Sequence, residues 1–264
     1  MKLGVIGAGN MAKAMVQGMI AQGIYSPGEI LLSRRDEDAL NSLKQELGVE
    51  ITTENIQVAK QAEILLLAVK PQMMEAVIEE IKETVNSHQL IITIAAGKPM
   101  TWYEECFGKE IKLIRAMPNT PAMVGEGCSA YCVGKLVTKE EEAKAKAIFD
   151  SYGTSFLLAE SMMDNFGALA GSGPAFVFMF LEAMADGAVL NGMPRQMAYE
   201  IAAQTLLGSA KLAKETGKHP GELKDMVCSP GGTTICGIRT LEEKGMRAAL
   251  INALNSCVEK SQKL

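Results

Sequence analysis

The chain has 264 residues, 48% hydrophobic and 22% charged, the balance of a soluble globular protein long enough for one large domain or two ordinary ones. A formal net charge of −5 and a pI near 5.3 argue against nucleic acid as the main partner, because neutralising phosphates takes a basic surface. Six scattered cysteines with no Cys-x-x-Cys pair, and only two histidines, leave few zinc ligands, so no metal is expected and the thiols read as reduced.

In chain order, strands are expected at 2–6, 29–33, 64–70, 89–96, 111–116, 128–133 and 154–159. Between the first two, Met11, Met15, Met19 and Ile20 share one helical face, and Gly23 stands where a C-terminal cap belongs. Leu40, Leu43 and Leu47 repeat the pattern, opened by Asp36 and closed by Gly48. Thr138 and Glu141 form a capping box for a helix ending near Ser151. Alternation of this kind predicts an α/β Rossmann-type N-terminal domain, a mostly parallel, doubly wound sheet covered on both faces.

Beyond about residue 160 the strand signals stop. Helices are expected at 176–191, 195–216, 222–227, 234–244 and 246–260, with Pro174, Pro194 and Pro220 at or near their starts. The expected division is therefore 1–160, an NADP-binding domain, and 161–264, an all-α domain. The longest uncharged stretch, 165–181, is shorter than the about 20 apolar residues of a spanning helix and reads as the opening of a buried one. The N-terminus passes from Lys2 into a strand and a glycine turn without an apolar signal region. A cytoplasmic protein with no membrane partner is expected.

Two segments carry the chemistry. Gly7-Ala8-Gly9-Asn10-Met11-Ala12 follows a strand and opens a helix, the context a dinucleotide-binding turn requires. There Gly7 makes the turn and Gly9 admits a pyrophosphate to the helix N-terminus. The second strand ends in Ser33-Arg34-Arg35, where an NAD site usually carries Asp or Glu. A hydroxyl and two guanidinium groups suit a 2′-phosphate, which favours NADPH over NADH; the alternative is a solvated charged turn. Ala68-Val69-Lys70-Pro71 and Ala95-Ala96-Gly97 end further strands at the edge where parallel sheets bind ligands. Near the C-terminus, Ser229-Pro230-Gly231-Gly232-Thr233-Thr234 can form a backbone anion nest fitted to a carboxylate. Simple helix capping by Ser and Thr explains that composition equally well.

The stretch from His219 to Gly245, HPGELKDMVCSPGGTTICGIRTLEEKG, resembles the signature of the pyrroline-5-carboxylate reductases. GVIGAGNMA at 4–12, LLLAVKP at 65–71, RAMPNTP at 115–121 and GSGPAF at 171–176 resemble the same family, in order along essentially the whole chain. The resemblance implies reduction of 1-pyrroline-5-carboxylate to L-proline, the last step of proline biosynthesis, with NADPH and possible acceptance of NADH. It also implies a helical C-terminal dimerisation domain and a homodimer, often built into a ring of dimers.

Carried over by position, Ile6, Gly7, Ala8, Gly9, Asn10, Met11, Ser33, Arg35, Asn55, Val69, Lys70 and Ala96 would line the cofactor, with Arg34, Ala68 and Pro71 beside them. Ser229, Gly231, Gly232, Thr233 and Thr234 would hold the substrate carboxylate and imine, presented by a partner subunit, with Thr234 and Ser229 as the catalytic candidates. Glu160 matches a position near the ring of the product. Met226 departs from the family, which often carries Asn or Gln there. The rivals are another two-domain reductase, of the imine or β-hydroxyacid kind, and a non-catalytic NADP(H) sensor. The former usually places Lys or Asp on the interdomain helix, and residues 162–191 hold Asp164, Glu182 and Asp186 but no Lys.

Overall fold

A computed structural model describes residues 2–263. The chain forms two compact units, one of residues 2–171 with 258–263, the other Ser172–Cys257.

The first unit is built on β1 (Leu3–Ile6), α1 (Asn10–Ala21), β2 (Ile30–Ser33), α2 (Glu37–Leu47), β3 (Glu50–Thr52), α3 (Asn55–Gln61), β4 (Ile64–Leu67) and α4 (Pro71–Ile81). It continues through β5 (Leu90–Thr93), α5 (Met100–Phe107), β6 (Lys112–Met117), β7 (Gly127–Val133), α6 (Lys139–Asp150), β8 (Gly153–Leu157) and α7 (Met163–Phe166). The strands make one sheet in the order β3-β2-β1-β4-β5-β6-β7-β8, parallel except where β6 meets β7. The order reverses about β1, and ligands of such sheets bind beyond the strand C-termini at that switch point. Each expected strand is present. The short β3, which alternation did not reveal, is a three-residue edge with no buried residue.

Period-two alternation sends successive side chains to opposite faces. Leu3 and Val5 of β1, Ile64 and Leu66 of β4, and Leu90 and Ile92 of β5 join one core, against Met15 and Met19 of α1, Leu40 of α2 and Ile148 of α6. Ile6, Leu65, Leu67 and Ile91 join the other, against Val58 of α3, Met74 and Ile78 of α4, and Tyr103 of α5. The expected caps form: the Asp36 carboxylate accepts from the Ala39 N–H at 3.0 Å, Gly48 is left-handed at φ 70°, and Thr138 and Glu141 close a capping box.

A π-helical turn, Gly167–Ser172, follows α7. The second unit holds α8 (Gly173–Leu190), α9 (Arg195–Thr216), α10 (Pro220–Val227) and α11 (Thr233–Glu243), and most of α12 (Met246–Ser261). Its buried hydrophobic residues are alanines, Ala185, Ala198 and Ala202, while Val177, Phe178, Met179, Ile201 and Leu207 are exposed. The helical run Glu160–Leu190 is long and apolar enough to span a membrane, but one chain buries only 11% of its most apolar window. The burial expected for 165–181 is therefore not supplied within a single chain.

Gly4 sets how closely α3 lies on the sheet. A Cβ there would stand 2.6 Å from Ala62 Cβ and 2.7 Å from Val58 Cγ1. Gly4→Ala should therefore lower the stability of the first unit by about 1–3 kcal/mol through overpacking, read as a lower urea midpoint by circular dichroism. An unchanged midpoint would show that α3 is not held at that distance.

Candidate functional site

At the C-terminal end of β1 the chain turns at Gly7, whose φ is +96°. A Cβ at Gly7 would lie 2.6 Å from Val69 Cγ1, 2.7 Å from Val69 N and 2.8 Å from the Ala68 carbonyl carbon. Both the dihedral and the space exclude other residues. The Gly7 and Ala8 N–H groups both donate to the Ser33 carbonyl at 3.1 Å, tying the turn to β2. Gly9 then caps α1 with no side-chain hydrogen bond, and the first turn carries no acidic residue. Nothing stands within 4 Å of where its Cβ would be. The free N–H groups and positive end of α1 are thus open to an anion.

A cavity of about 330 Å³ lies over this turn, lined by Gly7, Ala8, Gly9, Ser33, Arg34, Arg35, Asn55, Ala68, Val69, Lys70, Met73 and Val77. Ten of these were expected from the sequence. Met73 and Val77 were not, because their apolar spacing on α4 reads as core. Of the remaining candidates, Ile6 is buried beneath the turn, Met11 packs on the core, Asn10 and Pro71 open α1 and α4, and Ala96 follows β5.

The cations around the cavity differ in their commitments. Arg34 donates to the Ala8 carbonyl at 3.2 Å and reaches Asp36 at 3.5 Å, so it braces the turn. Arg35 and Lys70 are exposed and have no ion pair among the described residues. Ser33 is fully buried and donates its hydroxyl to Asn55 Oδ1 at 2.8 Å; Asn55 Nδ2 donates to Glu80 at 2.9 Å. The walls fit a dinucleotide with a 2′-phosphate: a cradle that only glycine permits, an uncapped helix N-terminus, and two uncompensated cations.

In the second unit, His219 caps α10, its Nδ1 accepting from the Gly221 N–H at 3.1 Å. The Ser229–Thr234 loop folds through Gly231 at φ 69°, with the Gly232 N–H donating to the Ser229 carbonyl at 3.0 Å. Gly232 is the N-cap of α11 and receives no side-chain cap. The Ser229, Thr233 and Thr234 hydroxyls are therefore not spent on capping, and three hydroxyls flank an open helix N-terminus. Met226 is 63% exposed.

Residues 160–264 match the family described as pyrroline-5-carboxylate reductase dimerisation, and residues 2–97 the family described as NADP oxidoreductase, coenzyme F420-dependent. The pyrroline-5-carboxylate reductase of Escherichia coli (strain K12) is 48% identical over 263 residues, covering 100% of this chain and 98% of its own. This chain belongs to the pyrroline-5-carboxylate reductase family. The Methanosarcina acetivorans reductase is also 48% identical, over 100% of this chain and 97% of its own. Among solved structures, the Coxiella burnetii pyrroline-5-carboxylate reductase superposes with a TM-score of 0.94 at 35% identity, covering 99% of this chain and 97% of that one. The Plasmodium falciparum pyrroline carboxylate reductase with NADP bound gives 0.89 at 32% identity, with the same coverage. A prephenate dehydrogenase from A. aeolicus shares the fold at 12% identity and a TM-score of 0.56.

In this member of the reductase family, side chains beyond the strand ends form ties that spacing did not single out. Asn119 donates to the Ala170 carbonyl at 2.9 Å and accepts from the Cys128 N–H at 2.8 Å, holding the π-turn to the start of β7. Such turns occur often at functional sites. Glu160 Oε1 accepts from the Met100 N–H at 2.7 Å and pairs with the buried Arg115 at 3.0 Å. The structure thus places Glu160 in the first unit, already committed, and the 229–234 loop in the second. Desolvation, helped by the Glu160 charge, pushes the Cys132 thiol up to about 11, so it is no nucleophile near neutral pH. Removing the Glu160 carboxylate strands the Arg115 charge. Glu160→Ala should cost about 1–3 kcal/mol, less than a fully buried pair because Glu160 is a third exposed. Unchanged stability with a raised KM for substrate would instead place Glu160 against the substrate.

Proposed function

We propose that this chain reduces 1-pyrroline-5-carboxylate to L-proline with NADPH, closing proline biosynthesis, and accepts NADH less well. The observation that carries the cofactor side is the pair of uncompensated cations, Arg35 and Lys70, on the wall of a cavity over an uncapped helix N-terminus. The observation that supports the substrate side is the Ser229–Thr234 loop, with its uncommitted hydroxyls.

The Gly7–Gly9 turn and the N-terminus of α1 hold the pyrophosphate; Arg35, with Asn55 beside it, holds the 2′-phosphate. When bound, the nicotinamide supplies the hydride. Protonation of the cyclic imine makes an iminium; hydride addition would form a C–H bond at the imine carbon while the C=N π pair passes to the ring nitrogen, giving the amine of proline. The chain's task is then alignment and exclusion of water rather than strong acid–base catalysis. The backbone of Gly231 and Gly232, with Thr233 and Ser229, fixes the carboxylate, while the Thr234 hydroxyl hydrogen-bonds the ring nitrogen and passes it a solvent proton. Residues 1–160 carry the cofactor and 161–264 the substrate loop and self-association. The exposed apolar faces of α8 and α9 become buried in a homodimer, further built into a ring of dimers, in the cytoplasm.

The deciding assay follows NADPH oxidation with racemic 1-pyrroline-5-carboxylate and checks that proline forms in equal amount. NADPH binding without turnover would favour a sensor or a different imine or keto-acid substrate. Thr234→Ala should lower kcat by about tenfold or more while NADPH affinity stays within about twofold; equal losses would remove its role. Arg35→Ala should weaken NADPH by about tenfold or more, the loss of one charge-assisted contact, and leave NADH nearly unchanged. Equal loss for both cofactors would place the 2′-phosphate elsewhere.

A further inference from the structure

The Ser33–Asn55–Glu80 chain has only one consistent arrangement of protons. An ionised carboxylate accepts and cannot donate, so the Asn55 atom facing Glu80 at 2.9 Å must be the amide nitrogen. The Asn55 oxygen is thereby turned to Ser33, and the buried Ser33 hydroxyl must donate to it at 2.8 Å. Ser33 has therefore already spent its only proton inside the protein and has none to give a phosphate. Asn55 forms part of the cavity wall beside Arg34 and Arg35. Met73, Val77 and Glu80 fall on one face of α4, the first two on the cavity wall and the third one turn further on. Among the described residues the Glu80 carboxylate forms no ion pair, Asn55 being its hydrogen-bond partner. An uncompensated negative charge thus sits one hydrogen bond behind the wall that Arg35 completes.

We propose that Glu80 is a specificity-determining residue of the cofactor site, holding down its preference for a 2′-phosphate over a 2′-hydroxyl. The inference rests on the reading of this cavity as the NADP(H) site. Glu80 acts in two ways. Its charge opposes that of a phosphate near Asn55, and its hydrogen bond keeps the Ser33 proton committed to Asn55. A ribose hydroxyl suffers neither effect, so NADH is left tolerable while Arg35 supplies the attraction that favours NADPH.

The test is calorimetric binding of adenosine 2′,5′-bisphosphate and adenosine 5′-monophosphate to the full chain and to Glu80→Gln, which removes the charge but keeps the size and an acceptor. Glu80→Gln should tighten the bisphosphate by roughly three- to tenfold in low salt and leave the monophosphate unchanged, the scale of one charge acting through a largely aqueous path. The gain should shrink on raising salt from about 0.01 M to about 1 M, as the Debye length falls from about 30 Å to about 3 Å. The ratio of kcat/KM for NADPH over NADH should rise in the same proportion. Glu80→Ala should raise the bisphosphate preference at least as much, because it also frees Asn55 to turn. An unchanged preference in both variants overturns the proposal, as does equal weakening of both ligands, the mark of a merely structural residue. Failure of the unsubstituted chain to bind either adenosine ligand would overturn the cofactor reading itself, and this inference with it.

Discussion

The turn at Gly7 is the constraint on which the first unit's chemistry depends. β1 and β4 are adjacent parallel strands, and the chain leaving β1 must bend away before it meets the chain leaving β4. It does so at a left-handed residue whose missing side chain would otherwise fall on the Val69 backbone. Because the turn is that tight, α1 begins at once, its first N–H groups unpaired and facing the strand ends. That first turn carries neither a capping side chain nor an acidic residue, either of which would fill or repel an anion there. The cavity is a consequence of the backbone path rather than of side chains that line it.

The second unit follows a different logic. Its helices bury alanines among themselves and leave large apolar residues exposed, the reverse of what a self-sufficient core does. A patch of that kind marks an interaction surface, and the match of residues 160–264 to a dimerisation family accords with it. The start of α11 at Gly231–Thr234 shares with the Gly7–Gly9 turn an uncapped helix start behind glycines.

Much of this was legible in the sequence because it rests on local rules. Asp36 and Gly48 bracket α2, Thr138 and Glu141 cap α6, and apolar runs mark each buried strand, since burial on both faces demands them. β3 escaped because Glu50-Ile51-Thr52 is a half-exposed edge too short to alternate visibly. Arg34 and Arg35 look alike in sequence, yet one braces the Ala8 carbonyl and the other is free; only the direction of each side chain separates them. The Ser33 hydroxyl is tied to Asn55, 22 residues on, and Asn55 to Glu80, 25 residues further still. Such relays depend on which helices the topology brings beside a strand end, which no local spacing encodes. The sequence left capping and anion binding equally open at Ser229–Thr234, and Gly232 opens α11 without a side-chain cap.

The most direct measurement is a crystal structure of this chain grown with NADPH. The account predicts electron density for the pyrophosphate against the N–H groups that open α1, and for the 2′-phosphate within hydrogen-bond reach of Arg35. Density for the nucleotide elsewhere, or a 2′-phosphate turned to solvent away from Arg35, would contradict the reading of the Gly7 turn as the feature that organises the site.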